Sequence, residues 1–280
     1  MAEPASTAAS SASPPGAAAA ISAAFEAARE ESRAALMPYL MGGFPDQETA
    51  TAVAGAYADG GADLIELGMP FSDPLADGPT IHAADTAALA AGATLQSVLE
   101  TCAVVGERVP VALMVYANMV FATGPAEFAE RAAAAKAAAV IVPDLPLEEQ
   151  APIRDALGER ELALVPLVAP TTPAERRARI CAQAEGFVYL VSTVGVTGER
   201  EQLPPELTDL ITAAKQEAEV PVAVGFGIST PEQAATVGEL ADGVIIGTRL
   251  IRTVADAADA AAAVAGVTDL LRATRDALAG

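Results

Sequence analysis

Leu64-Ile65-Glu66-Leu67-Gly68-Met69-Pro70-Phe71-Ser72-Asp73-Pro74-Leu75-Ala76-Asp77-Gly78-Pro79-Thr80 decides how this chain is read. The stretch begins as an apolar run of strand length with one charge inside it, Glu66. It ends as a loop dense in Pro, Gly and Asp. A strand buried between parallel neighbours reads as nearly unbroken aliphatic residues. A carboxylate there loses its water, so it needs a partner or a chemical task. The bland alternative for Glu66 is a buried acid satisfied by a neighbouring backbone group or hydroxyl. Asp77, between Ala76 and Gly78, is a second acid that the loop can fold back over the strand end. Two carboxylates so placed suit general acid/base work. Burial is expected to raise the pKa of Glu66, whereas Asp77 is expected to be more solvated and to stay ionised. Asp73, followed by Pro74, reads as a turn-fixing residue.

Outward from this stretch, short apolar runs alternate with helical patterns. Residues 36–41, 62–67, 109–116, 138–143, 162–169, 186–191, 220–224 and 242–246 read as strands. A helix over 19–35 is expected before the first, Asp46 and Thr80 are the expected N-caps of later helices, and 94–106 is expected to continue as a further helix. Eight strand–helix pairs with no second apolar pattern predict an α/β fold, a (β/α)8 TIM barrel with an extra N-terminal helix. A doubly wound open sheet is the runner-up, and the absence of GxGxxG after the first strand counts against it. Residues 1–18, rich in Ala, Ser and Pro, are expected to be a disordered tail, leaving 19–280 as a single barrel domain. The tail has neither the basic start nor the apolar core of a secretory signal. No apolar run reaches the roughly 18 residues a membrane span needs.

The chain has 280 residues, 52% of them hydrophobic, and a formal net charge of −21. Nucleic acid and anionic membrane surfaces are poor partners for such a charge. The two cysteines, Cys102 and Cys181, lie in helical patterns without CxxC spacing and read as buried hydrophobes in a reducing cytosol. His82 is the single histidine, which leaves no inventory for a histidine metal site or a Ser-His-Asp triad. Lys136 and Lys215 both sit in helical patterns, so neither stands at a strand end to form a Schiff base.

In a barrel of this kind, chemistry lies at the C-terminal ends of the strands. Gly198, Gly225, Gly227 and Gly247 follow the last three strands and let backbone N–H groups approach an anion. Thr248 can start a helix whose positive end faces it. Three such loops on one rim point to a phosphate. Tyr39, Tyr116 and Tyr189 lie on or at the ends of strands; core packing and the lining of a planar ligand both remain open for them. What inventory leaves is carboxylate-driven proton transfer on a small phosphorylated substrate.

The run from Glu66 to Ile81 resembles the signature of the tryptophan synthase alpha chain family. The likeness continues through Tyr116-Ala117-Asn118, Asp144-Leu145-Pro146, Gly195-Val196-Thr197-Gly198, Gly225-Phe226-Gly227-Ile228-Ser229 and Gly247-Thr248, in family order. The resemblance implies retro-aldol cleavage of indole-3-glycerol phosphate to indole and glyceraldehyde 3-phosphate. Glu66 would handle the proton transfers, Asp77 would hold the indole N–H, and Tyr189 would support Glu66. Tyr39, Met114 and Phe226 would form the slot for the ring, with Tyr116 also at the substrate and Thr197 near Asp77. Gly198, Gly227, Gly247 and Thr248 would take the phosphate. The resemblance also implies a beta-chain partner in an alpha2beta2 heterotetramer, with pyridoxal phosphate on that partner and no cofactor here. His82, where glutamine is frequent, and Thr193-Val194, in place of an Arg-Ser pair, depart from the family pattern. Two other readings remain: a non-catalytic allosteric partner of the beta chain, and a free-standing lyase.

Overall fold

The computed structural model describes residues 16–191, 205–225 and 227–280. In chain order come α1 (Ala17–Glu30), β1 (Ala35–Met41), α2 (Gln47–Asp59), β2 (Ile65–Gly68), α3 (Pro79–Ala90), α4 (Leu95–Val105) and β3 (Val111–Met114). Next are α5 (Ala117–Thr123), α6 (Pro125–Ala134), β4 (Ala139–Ile141), a 3-10 turn at Leu147–Glu149, α7 (Ala151–Gly158), β5 (Ala163–Val165) and β6 (Leu167–Val168). The remainder is α8 (Ala174–Cys181), β7 (Val188–Val191), α9 (Pro205–Glu217), β8 (Val222–Gly225), α10 (Pro231–Gly238), β9 (Gly243–Ile246), α11 (Thr248–Ala255) and α12 (Ala260–Ala279).

The strands pair in the order β5-β4-β3-β2-β1-β9-β8-β7-β6, every ladder parallel. The two ends of that order, β5 and β6, are consecutive pieces of one strand parted only by Pro166. The sheet is therefore a barrel of the expected kind. The single strand expected over 162–169 is broken because proline has no N–H to give the ladder. The Pro166 carbonyl instead accepts from the Tyr189 N–H at 3.0 Å.

Strand alternation sorts the core into two compartments. On β1, Leu36 and Leu40 pack outward under the helices, while Ala35, Met37, Tyr39 and Met41 point inward. The lower barrel interior is filled by Met37, Leu64, Ile141, Val165 and Phe187, and α1 plugs it from below with Ile21, Phe25 and Ala28. The Phe25 and Phe187 rings lie 5.8 Å apart. At the same end the buried Arg33 guanidinium pairs with Asp63, Nη2 to Oδ1 at 2.7 Å.

Several boundaries differ from expectation. Helix α1 starts at Ala17, inside the segment assigned to the tail, and ends at Glu30 rather than 35. Ser32 takes a left-handed φ of 60° and the Arg33 N–H returns to the Ala28 carbonyl, which closes the helix and frees Ala35 for β1. Thr80 does not cap α3: Gly78 does, because Pro79 occupies the first helical position, where its missing N–H costs nothing. Asp46 and Thr94 cap α2 and α4, Thr94 with Ser97 in a reciprocal pair. Helix α5, directly after β3, had no counterpart in the sequence reading. Lys136 lies past the end of α6 with φ 61°, not within a helix. Cys102 and Cys181 are both buried free thiols, their pKa values pushed up by burial to about 12 and about 11. No single described helix is long and apolar enough to cross a membrane.

Candidate active site

On β2 the alternation that sends Ile65 and Leu67 outward turns Leu64 and Glu66 into the barrel. Glu66 is 1% exposed and lies in register with Tyr39 on β1 and Ala112 on β3. The Tyr189 hydroxyl, from β7, donates to its carboxylate. The second oxygen, Oε2, is buried with no hydrogen-bond partner among the described residues. Loss of water and, secondly, the negative charge of Asp77 push the Glu66 pKa up to about 8, while Tyr189 opposes the rise. Glu66 thus carries a proton near neutrality and has a free oxygen at which to exchange it.

Asp77 is half-buried and so more solvated than Glu66, as expected from its glycine-flanked position. Burial raises its pKa; a hydrogen bond from Tyr116 and the nearby His82 lower it. The Tyr116 hydroxyl donates to Asp77 Oδ2 at 2.8 Å and accepts from the Ala76 N–H at 3.0 Å. Tyr116 therefore stands behind Asp77 and fixes it, instead of lining the cavity. Its ring stacks on Phe71 at 5.1 Å between centroids. Asp73 is exposed and accepts from the Ser72 hydroxyl at 2.6 Å, consistent with a turn role. His82 is exposed on the first turn of α3.

Tyr39, Glu66, Asp77, Met114, Tyr189, Gly227, Gly247 and Thr248 line one cavity. The structure thus brings together eight of the residues singled out from sequence. Its free volume is narrow, about 40 Å³. Gly227 has φ 83°, a left-handed conformation that glycine adopts without a Cβ penalty. Gly247 is the N-cap of α11 and Thr248 its first residue, so the unpaired N–H groups of that helix face the cavity's edge. Thr197, Gly198, Phe226 and the Thr193-Val194 pair lie outside the described residues.

Sequence reading missed four residues. Ile81, Ile228 and Ile245 complete the apolar wall. Ile245 was accessible from alternation on β9, and Ile228 lies inside a glycine motif already noted. Asp85 is 1% exposed on the apolar face of α3, between Ile81 and Ala88. A charged residue inside an apolar helical stripe was the signal. The Phe71 N–H donates to Asp85 Oδ1 at 3.1 Å, and burial followed by the charge of Asp77 raises the Asp85 pKa to about 7.

The chain is similar to known proteins over most of its length. The family model described as "Tryptophan synthase alpha chain" matches residues 25–278. The tryptophan synthase alpha chain of Synechococcus sp. (strain CC9902) is 48% identical over 237 residues, covering 83% of this chain and 88% of that one. The one from Carboxydothermus hydrogenoformans is 44% identical over 232 residues, with 82% and 87% covered. Among solved structures, a chain of Mycobacterium tuberculosis tryptophan synthase superposes with TM-score 0.85 at 35% identity, covering 92% of this chain and 97% of that one. The alpha subunit from Legionella pneumophila str. Paris gives TM-score 0.84 at 35% identity, with 92% and 98% covered.

Proposed function

The chain belongs to the tryptophan synthase alpha chain family, and from that membership we infer how its site residues divide the work. It is a lyase that cleaves indole-3-glycerol phosphate to indole and glyceraldehyde 3-phosphate, the indole going on to the beta chain for tryptophan synthesis. It needs no cofactor; pyridoxal phosphate belongs to the beta chain, which is its partner.

Cleavage moves one proton. The side-chain hydroxyl next to the ring loses its proton and becomes the aldehyde; indole C3 gains a proton and keeps the electron pair of the broken carbon–carbon bond. Glu66 protonates C3 and collects the hydroxyl proton, so it ends as it began. Its raised pKa suits both halves of that exchange at neutral pH. Asp77 accepts the indole N–H and offsets the positive charge that develops on the ring nitrogen when C3 is protonated. Tyr116 supports the ionised form of Asp77 by donating to it. Tyr189 orients Glu66. Tyr39 and Met114, with Phe226, hold the ring; Gly227, Gly247 and Thr248, with Gly198, hold the phosphate end, and Thr197 serves near Asp77.

We assign the protein to an alpha2beta2 heterotetramer in the cytoplasm, with one catalytic domain per alpha chain. Leu75 (83% exposed, on the β2–α3 loop) and Phe121 (49% exposed, on α5) support a partner at the barrel mouth, since both follow strand ends on that face.

The observation that carries the mechanism is the fully buried Glu66 carboxylate with an unpaired oxygen in the cavity that Asp77 shares. Indole release by Glu66→Ala, assayed with and without a beta chain, is expected to fall by about 10²–10⁴-fold with the fold intact. Wild-type turnover in that variant removes the mechanism. Normal activation of the beta chain by a wild-type protein that releases no indole points to a binding subunit instead.

A further inference from the structure

We infer that Asp85 is a positioning residue for Asp77: it anchors the Phe71 end of the β2–α3 loop, and the Phe71–Tyr116 stack passes that anchorage to the carboxylate. The inference rests on the role given above to Asp77.

Asp85 occupies a helix face otherwise made of Ile81, Ala84 and Ala88, which pack with Tyr39 and Ile251. Packing alone asks for a small apolar residue there, and an acid costs free energy by losing its water. One thing that the acid gains is the Phe71 N–H, 3.1 Å from Oδ1. Its Oδ2 is buried with no hydrogen-bond partner among the described residues. The loop that begins at Phe71 is thus tied to α3 at its root.

From Phe71 the connection continues without a gap. Its ring stacks on Tyr116 at 5.1 Å with planes inclined by 29°. The Tyr116 hydroxyl holds the other end of the loop twice, donating to Asp77 Oδ2 and accepting from the Ala76 N–H. Between these two ties Ser72, Asp73 and Leu75 are exposed. The middle is largely exposed, so the two ends set where Asp77 sits. Losing the tie at Phe71 lets the ring slide on Tyr116 and lets Asp77 drift from the indole nitrogen. A displacement of about 1 Å at a reacting geometry can cost on the order of 10²-fold in rate.

The test uses the full chain with its beta partner and indole-3-glycerol phosphate, comparing Asp85→Ala, Asp85→Asn, Asp77→Asn and the Asp77→Asn/Asp85→Ala double variant. Circular dichroism and thermal melting confirm that each is folded. Asp85→Ala is expected to lose about 10–100-fold in kcat/KM. Asp85→Asn, which keeps a carbonyl acceptor for the Phe71 N–H, is expected to recover most of that loss. With Asp77 already replaced, Asp85→Ala is expected to cost little more, because the two residues act through one point. Near-wild-type kcat/KM in Asp85→Ala overturns the inference. So does an Asp85→Asn as damaged as the alanine variant, or a full additive loss in the double variant. Wild-type turnover by Asp77→Asn alone shows that the underlying reading of Asp77 has failed, and this inference falls with it.

Discussion

The Tyr189 hydroxyl on β7 donates to the Glu66 carboxylate on β2, across a barrel in which β1, β9 and β8 stand between the two strands. The bond spans the interior at the level where the lower hydrophobic filling gives way to the cavity. A donor on a carboxylate stabilises its charged form and so lowers its pKa. Tyr189→Phe is therefore expected to push the Glu66 pKa above its present value of about 8. In the pH profile of kcat/KM for indole release, the limb that belongs to Glu66 moves to higher pH. A limb that stays in place, or moves down, shows that Tyr189 does not act on Glu66.

Tyr189 also explains why β8 ends in glycine. A Cβ on Gly225 would meet the Tyr189 hydroxyl and ring carbons, and the β7–β8 ladder pairs Val191 with Gly225 so the backbone has no room to retreat. Gly225→Ala is expected to move the ring off Glu66 and to destabilise the fold by about 1–3 kcal/mol, read by urea melts alongside turnover. Intact turnover in a folded Gly225→Ala protein detaches Tyr189 from the chemistry.

Gly247 contrasts with this. A Cβ there would sit 3.5 Å from Tyr39 Cβ, ordinary contact distance. Gly247→Ala is expected to melt like wild type yet to raise KM for indole-3-glycerol phosphate, because the methyl intrudes where the phosphate approaches the α11 N–H groups. Unchanged KM would move the phosphate away from this helix.

Glu66 links activity to stability. Its folded pKa of about 8 lies above its unsupported value near 4.5, so the native state holds the proton more tightly than the unfolded chain. Its contribution is most favourable in acid, declines as pH rises from about 4.5 to about 8, and is fully unfavourable above that. The slope in that window is ~1.4 kcal/mol per pH unit, for a total on the order of a few kcal/mol. Glu66→Gln is expected to be more stable than wild type at alkaline pH, with the gap closing toward the low end of the window. Urea denaturation across that range checks it; a gap that is independent of pH contradicts the raised pKa.

The barrel and the paired acids were legible in the chain because each rests on local pattern. Apolar runs of strand length recur with helical spacing between them, and period-two alternation alone turns Glu66 inward with Leu64. Less legible was whatever depends on two distant segments meeting. The hydrogen bond from Tyr116 to Asp77 was not legible, because the two residues follow different strands. For Tyr116 packing and ligand lining were both open, and its place behind the loop is set by its stack on Phe71. Pro79, one position before Thr80, displaced the expected cap through its own lack of an N–H. Asp85 stood in plain view in an apolar stripe, but the Phe71 N–H that bonds that acid comes from the preceding loop.

The far end of the barrel offers a control. Asp63 accepts from Arg33 Nη2 at 2.7 Å and from the Leu36 N–H at 2.7 Å, while the buried Arg33 also bonds Glu31 and the Ala34 carbonyl. This cluster fastens the end of α1 to the starts of β1 and β2, below the hydrophobic filling and away from the cavity. Without Arg33, Asp63 keeps the Leu36 N–H and a longer contact to Arg275 at 3.5 Å, so its charge is less well compensated, a loss of about 1–3 kcal/mol. Arg33→Met is expected to lower Tm clearly while leaving kcat/KM near wild type, since the geometry at the strand tops does not depend on the barrel floor once the protein is folded. Adding Asp63→Asn removes the weakly compensated charge, keeps an acceptor for the Leu36 N–H and is expected to recover part of the lost stability. A proportional fall in turnover at temperatures well below Tm would mean that the floor and the mouth are mechanically coupled.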